Sequence, residues 1–274
     1  MGMKIGAVSL GWKGIALPDV FAQVRDAGGE CVELNSKPGL HDDLVLDPQT
    51  CGQVRAWAKD AGLTISAVSG YNDFALCDRE LLRVEIERLV HACRIASELK
   101  VGVVRAFVGS DKPGESFAKF RPYVIESFQE AGRQAASLGV ALAIENHGYL
   151  LNDGPALAQL LKDIDADNVG VTLDTGNFSW AGHGFTQTWA DFEAVLPYVF
   201  NVHIKDGVWH GDEFEFVPAG EGALNVRKVL TRLAELEYEG AVCSEYEGSG
   251  NFLEGTRASI AYLCESRQRL LGHD

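Results

Sequence analysis

The sequence lacks the features that would tie the protein to a membrane, to export or to disulfide bonds. No uninterrupted apolar run reaches the ~20 residues that a transmembrane helix needs, and the first residues lead directly into an apolar strand pattern without the elements of an export signal. The six cysteines are widely spread and never form a CxxC pair. We therefore expect a cytoplasmic protein whose cysteines are reduced and buried.

Basic side chains are also scarce. Lys and Arg number 24 against 39 Asp and Glu, which gives a formal net charge of -15 at pH 7. Nucleic-acid affinity depends largely on Lys and Arg side chains that neutralise phosphates, and anionic membranes attract the same side chains. The composition therefore argues against nucleic-acid and membrane partners.

The order of secondary-structure patterns predicts a (β/α)8 TIM barrel in a single domain over residues 1–274. Strand-like apolar runs comprise residues 4–10, 31–34, 63–68 and 101–108, and further runs that end at Glu145, Asp174, His203 and Glu245. Segments of helical periodicity alternate with them over 18–27, 48–61, 78–99, 115–138, 155–163, 187–199, 225–237 and 254–270. This alternation is typical of a closed α/β barrel. A doubly wound sheet would need a GxGxxG turn after the first strand, which is absent.

The last four strand-like runs each end in a side chain that can bind a metal ion, namely Glu145, Asp174, His203 and Glu245. They follow one another at intervals of 29, 29 and 42 residues, and a strand with its crossover helix occupies roughly 30 residues. One ligand per βα unit places all four on the same rim of the barrel. Three carboxylates sharing one pocket repel each other and lose hydration, so the pattern predicts a divalent cation there.

The predicted ligand set also limits the choice of metal and supplies neighbouring polar groups. Oxygen-rich ligation with one imidazole suits Mn²⁺ or Mg²⁺ and tolerates Co²⁺, Fe²⁺ or Zn²⁺; we expect Mn²⁺ first. Side chains two apart on a strand share a face. Glu145 therefore shares its face with His147, and His203 shares its face with Lys205.

Other strand ends carry side chains that suit a sugar or cyclitol. Aromatic residues lie at or just beyond them, at Trp12, Tyr71, Phe74, Phe107, Phe178, Trp180 and Trp209. Flat apolar faces pack on the C–H groups of a sugar ring, and we expect Trp12, Phe107 and Trp180 to bind substrate in this way. Arg105 either binds a substrate oxygen or pairs with Glu145. The glycine-rich run at 220–222 contains an acidic residue that would repel a phosphate, so the pattern favours an unphosphorylated substrate.

Short motifs in the second half of the chain resemble one enzyme family. They are IleGluAsnHis at 144–147, LeuAspThrGlyAsn at 173–177, ValHisIleLysAsp at 202–206, ProAlaGlyGluGly at 218–222 and SerGluTyr at 244–246. These motifs are similar to those of the sugar phosphate isomerase/epimerase family of xylose-isomerase-like TIM barrels, which includes ketose 3-epimerases, inosose isomerases and dehydratases, and hydroxypyruvate isomerase. The resemblance covers nearly the whole chain in element order.

This resemblance implies roles for individual residues. Glu145 and Glu245 match the acid/base pair of the family, and they match metal ligands together with Asp174 and His203. His147 and Lys205 are further catalytic candidates: a histidine could shuttle protons, and a lysine could bind a substrate oxyanion. Asn177 stands where the ketose epimerases have a histidine. Its amide can hydrogen-bond a substrate hydroxyl but cannot accept a proton.

The implied reaction is the removal of a proton alpha to a metal-bound carbonyl, through an enediolate. Return of the proton gives an epimerase or isomerase of an unphosphorylated keto-sugar or ketoinositol. Loss of a leaving group instead gives a lyase or dehydratase that acts on an inosose or a 3-keto-glycoside. An abasic-site endonuclease of the same fold needs many histidines and ranks last, because the chain has only seven. Related barrels often dimerise, so a homo-oligomer stays open.

Overall fold

The structure, a computed structural model, describes residues 2–270 and Gly272. Eight parallel strands close into a barrel: β1 Lys4–Val8, β2 Cys31–Asn35, β3 Thr64–Ser69, β4 Val103–Ala106, β5 Ala141–Glu145, β6 Val169–Asp174, β7 Val199–Ile204 and β10 Ala241–Ser244. Their spatial order is β1-β10-β7-β6-β5-β4-β3-β2. The predicted TIM barrel is therefore confirmed, and the carboxyl ends of all eight strands meet at one rim.

Helices lie between the strands close to the predicted bounds. They are α1 Leu17–Asp26, α2 Pro48–Asp60, α3 Arg79–Leu99, α4 Phe117–Ser137, α5 Gly154–Ile164, α7 Phe185–Val195, α8 Val226–Glu235 and α9 Phe252–Leu270. Carboxylates cap several of them, as when Asp47 accepts a hydrogen bond from the Thr50 amide at 2.7 Å. A short helix that the sequence patterns did not predict, α6 Asn177–Trp180, follows β6 directly.

A β-hairpin between β7 and α8 was also missed. It consists of β8 Asp206–His210 and β9 Glu213–Val217, which pair antiparallel with Asp206 opposite Val217. The sequence patterns assigned residues 207–217 to a loop at the barrel mouth. The hairpin is short and half exposed, so its alternation of Glu and Phe at 213–216 is a weak signal.

One buried carboxylate fixes the base of this hairpin. Asp206 accepts hydrogen bonds from the backbone amides of Gly207, Gly220, Gly222 and Leu224 at 2.9–3.2 Å. A Cβ atom at Gly222 would lie 2.1 Å from Asp206 Oδ1, so only glycine allows this approach. The 218–224 loop is thereby tied to the residue that directly follows Lys205.

The cysteines are free thiols, and most are buried as expected. Cys31, Cys51, Cys93 and Cys243 are buried, and Cys264 is partly buried. The expectation is wrong for Cys77, which is exposed just before the Asp78 cap of α3. No helix between residues 2 and 270 is both long enough and apolar enough to cross a bilayer.

Candidate metal centre

The four predicted ligands converge at the barrel rim. Glu145 and Asp174 are the last residues of β5 and β6, His203 is the penultimate residue of β7, and Glu245 directly follows β10. One ligand atom from each residue lies within 4.8 Å of the others, and all four side chains are buried. Such a cluster can hold a divalent cation.

The hydrogen bonding of these side chains fits a cation. Among the described residues, Asp174 Oδ2, His203 Nδ1 and Glu245 Oε2 are buried atoms that make no hydrogen bond. His203 Nδ1 lies 3.3 Å from Glu245 Oε2 and 3.8 Å from Glu145 Oε1. Buried polar atoms in native proteins almost always have a partner. A cation at the centre of the cluster would supply the partner that these three atoms lack.

The backbone around Asp174 engages one of its two carboxylate oxygens. Asp174 Oδ1 accepts hydrogen bonds from the amides of Gly176 at 2.8 Å and Asn177 at 3.0 Å. The Asn146 side chain bonds both backbone groups of Asp174, at 2.9 Å and 2.8 Å. The carboxylate thus shapes the turn into α6 with one oxygen and offers the other to the cluster.

Two buried cations balance the carboxylates. Lys205 Nζ lies 3.3 Å from Asp174 Oδ2, 3.1 Å from Glu245 Oε2 and 2.7 Å from Glu247 Oε2. Arg105 Nε lies 3.2 Å from Glu145 Oε2. Of the two expectations for Arg105, the structure places it in contact with the glutamate.

The two candidate acid/base groups are charged at neutral pH. Burial alone would raise the pKa of Glu145, but the Arg105 guanidinium and the His203 ring together lower the pKa to about 2. Burial alone would also raise the pKa of Glu245. The Lys205 ammonium and the His203 ring instead hold that pKa well below its usual range. Both side chains can therefore accept a proton.

The other two predicted ligands lose their protons at a higher pH than usual in the absence of metal. Burial raises the pKa of Asp174 to about 7, and Lys205 counters this only in part. Burial would lower the pKa of His203, but the carboxylates of Glu33 and Glu245 raise it well above its ordinary value. A cation entering the site would have to displace these protons.

Three of the predicted catalytic and substrate-binding residues line a cavity of about 360 Å³ beside the cluster. Phe107, His147 and Trp180 belong to its walls, together with Tyr71. The His147 ring lies 4.8 Å from that of Phe107 and 6.2 Å from that of Trp180. None of the four predicted ligands is among the residues that line this cavity.

Arg105 connects this cavity with the cluster. Its guanidinium lies 4.0 Å from the Phe107 ring centre and 4.8 Å from that of Tyr71, and it contacts Glu145 on its other side. Arg105 is 2% exposed. Its side chain therefore separates the aromatic wall from the carboxylates.

Asn177 lies beside the cluster, whereas Trp12 packs elsewhere in the fold. Asn177 is buried, and its side-chain amide donates a hydrogen bond to Glu145 Oε1 at 3.1 Å while its Oδ1 accepts one from Lys205 Nζ at 3.3 Å. Trp12 is buried between α1 and α9, where its indole donates to Gln23 at 2.9 Å and packs edge-on against Phe252. Trp12 is therefore a packing residue in this structure, and its ring does not line the cavity as expected.

Sequence patterns also missed a residue beside the cluster. Glu33, in the middle of β2, hydrogen-bonds His203 at 2.7 Å. The available signal was an acidic side chain inside the otherwise apolar run CysValGluLeu. A buried carboxylate at such a position requires partners.

Comparison with known proteins identifies one protein family. A family model described as xylose isomerase-like TIM barrel matches residues 21–266. The chain is 28% identical over 227 residues to the 2-epi-5-epi-valiolone 7-phosphate 2-epimerase of Actinoplanes sp., which covers 79% of this chain and 78% of that enzyme. It is 31% identical over 137 residues to an uncharacterized protein of Methanocaldococcus jannaschii, covering 47% of this chain and 44% of that protein. The latter match spans less than half of the relative.

Solved structures share the architecture. A D-tagatose 3-epimerase-like protein superposes with a TM-score of 0.81 at 20% identity, over 98% of this chain and 99% of the other. A protein from Mycobacterium smegmatis, solved in complex with magnesium, superposes with a TM-score of 0.80 at 21% identity, covering 98% of each chain. The probable 3-DHS dehydratase of Bacillus anthracis superposes with a TM-score of 0.79 at 20% identity, over 96% of this chain and 99% of the other. At identities of 20–21%, these similarities show a shared fold alone.

Proposed function

The chain belongs to the xylose isomerase-like TIM barrel family, and we propose that it is a metal-dependent isomerase or epimerase of an unphosphorylated keto-sugar or ketoinositol. The observation that carries this proposal is the buried cluster of Glu145, Asp174, His203 and Glu245, in which three ligand atoms lack a hydrogen bond. The proposal includes one domain over residues 1–274 and a cytoplasmic location, with a homo-oligomer left open.

The four cluster residues would hold the metal. We propose Mn²⁺ as the native ion, with Mg²⁺, Co²⁺, Fe²⁺ or Zn²⁺ as substitutes; a structural neighbour of 21% identity was solved with magnesium. When bound, the metal would polarise a substrate carbonyl and so acidify the neighbouring C–H bond.

The protein side chains would move the protons. Glu145 and Glu245 are both carboxylates at neutral pH, so either can remove a proton from the carbon beside the carbonyl. The glutamate that removed the proton can return it, or the other glutamate can return one after taking a proton from solvent. Return to the same carbon gives epimerisation, and return to its neighbour gives isomerisation. The Lys205 ammonium is buried among these carboxylates and would stabilise negative charge on a substrate oxygen.

The cavity supports a neutral, ring-shaped substrate. Phe107 and Trp180 offer aromatic faces to sugar C–H groups. Asp73 and Asp111 also line the cavity and can accept hydrogen bonds from hydroxyl groups. Asp73 is paired with Lys112 at 2.6 Å, and Arg88 also lines the cavity. An unphosphorylated substrate is therefore favoured by Asp111 here and by the acidic residue in the 220–222 run.

A lyase is the second candidate, and the placement of His147 favours it. β-Elimination begins with the same proton removal and then needs a general acid at the leaving group. The His147 side chain is exposed in the cavity wall, where an imidazole could protonate a departing oxygen. The substrate would then be an inosose or a 3-keto-glycoside.

Exchange of substrate protons with solvent tests the proposal. We expect the Mn²⁺-loaded protein in D₂O to incorporate deuterium beside the carbonyl of at least one member of a panel of keto-sugars and ketoinositols, because the proton passes through an exchangeable carboxyl group. NMR spectroscopy would detect the incorporation and the products. Incorporation without elimination identifies an isomerase or epimerase, and elimination identifies a lyase.

The matched control is the same protein treated with a chelator, which should exchange no protons. If no substrate in the panel exchanges with the metal-loaded protein, both candidate functions lose their support. If exchange continues at the same rate after chelation, the metal has no part in the reaction.

Metal binding should strengthen as the pH rises from about 6 to about 8. The raised pKa values of Asp174 and His203 mean that both retain protons at the lower pH, and these must leave before a cation binds. Each displaced proton changes the Kd by about tenfold per pH unit below the pKa of the group that carries it. Calorimetric titration with Mn²⁺ in two buffers of different ionisation enthalpy would count the protons released. A pH-independent Kd without proton release would contradict this expectation.

A further inference from the structure

We propose that Glu33 is a positioning residue that fixes the orientation and tautomer of His203 for metal binding. The inference rests on the proposed metal site and extends it to a strand that contributes no ligand. Its basis is one contact: His203 Nε2 donates a hydrogen bond to Glu33 Oε2 at 2.7 Å, and both side chains are 0% exposed.

The contact crosses the interior of the barrel. Glu33 lies on β2 and His203 on β7, and two strands, β1 and β10, separate them in the sheet. The pairing therefore does not follow from neighbouring backbone positions. It depends on two long side chains meeting directly beneath the rim that carries the cluster.

Neighbouring side chains hold Glu33 in place. Its Oε1 accepts a hydrogen bond from the Ser69 hydroxyl on β3 at 2.6 Å, and its Oε2 also accepts from the Asn201 amide on β7 at 2.7 Å. Both carboxylate oxygens are thus engaged, so the group cannot rotate away from the imidazole. A fixed acceptor gives the ring a single favoured orientation.

This orientation determines which ring nitrogen faces the cluster. With Nε2 occupied as a donor to Glu33, the lone pair of a neutral imidazole lies on Nδ1. Nδ1 is the nitrogen that lies 3.3 Å from Glu245 Oε2, and it has no hydrogen-bond partner in the described part of the chain. Carboxylates that accept from the second nitrogen of a metal-binding histidine orient the ring and raise its basicity.

A purely structural explanation accounts poorly for this residue. A buried carboxylate costs desolvation energy, and packing alone would be served as well by an apolar side chain of similar volume. Its neighbours on β2, Val32 and Leu34, are fully buried on the opposite face of the strand, so of these three residues Glu33 points into the barrel beside His203. A functional constraint on His203 explains why an acid stands here.

The test measures metal affinity and the state of the histidine ring in two variants. We expect Glu33→Ala to weaken Mn²⁺ binding by about 10-fold to 100-fold, the usual effect of losing such a partner. Glu33→Gln should recover part of the affinity, because its amide oxygen still accepts from Nε2. Long-range ¹H–¹⁵N spectra of the Zn²⁺-loaded protein would show whether Nε2 of His203 carries the proton, as we expect for the wild type and for Glu33→Gln.

The matched control is Glu85→Gln, a change at another buried glutamate that bonds the Asp73 amide and no cluster residue. It should leave both readouts unchanged. If Glu33→Ala does not fold, Glu33→Gln and its spectra decide the matter. Wild-type affinity and an unchanged ring tautomer in the Glu33 variants would overturn this inference alone, whereas a wild-type protein that binds no metal would overturn the proposed function as well.

Discussion

Replacement of Glu245 by glutamine should abolish detectable turnover while leaving the fold intact. Glutamine has nearly the same shape but cannot accept a proton, and loss of a general base alone lowers rates by about 10²–10⁴-fold. Glu245 Oε2 is also one of the cluster atoms that lack a hydrogen bond, so its charge contributes to metal binding. Both effects act in the same direction.

The activity assay should therefore be accompanied by a metal titration, so that weaker binding is separated from slower chemistry at saturating Mn²⁺. Glu254→Gln is the matched control, because Glu254 is exposed in the first turn of α9 and should retain wild-type activity. Wild-type-like turnover in Glu245→Gln would remove Glu245 from the mechanism.

Replacement of Arg105 by methionine should destabilise the metal-free protein by about 3–5 kcal/mol, the usual result of removing one partner of a buried ion pair. The Glu145 carboxylate would remain buried, with the guanidinium that lowers its pKa removed. Methionine fills a similar volume, so the expected loss reflects charge more than packing. Urea unfolding in the presence of a chelator would measure it.

The double variant Arg105→Met/Glu145→Gln separates charge from packing. If the unpaired carboxylate causes the loss, neutralising it should restore most of the stability. If the double variant is as unstable as Arg105→Met, the stacking of Arg105 on Phe107 and Tyr71 would be the larger contribution. Added Mn²⁺ should reduce the loss in the single variant, because a cation would again balance Glu145.

The positions of the four cluster residues could be predicted from the sequence because they depend on the backbone. Each of these residues ends or directly follows an apolar run, and the carboxyl ends of parallel strands must meet at one rim. The short interval from His203 to Lys205 likewise placed the lysine on the same face. Period-two geometry and chain order were sufficient for these contacts.

The contacts made by side chains across the barrel could not be predicted. Glu33 and His203 are 170 residues apart in the chain, and no local pattern links them. Trp12 follows β1 and its 3-10 turn, where no regular period fixes the direction of a side chain, and its indole points towards α1 and α9. Arg105 had two equally reasonable partners until the positions of Glu145 and the aromatic rings were known.

The four backbone amides that converge on Asp206 have a consequence for protein engineering. They anchor the hairpin at its base, next to Lys205, while its turn at Gly211 projects into solvent. Exposed loop tips are among the sites where a domain tolerates inserted sequence best. The turn around Gly211 is therefore a natural attachment point for a tag or a fused module that leaves the chemistry below undisturbed.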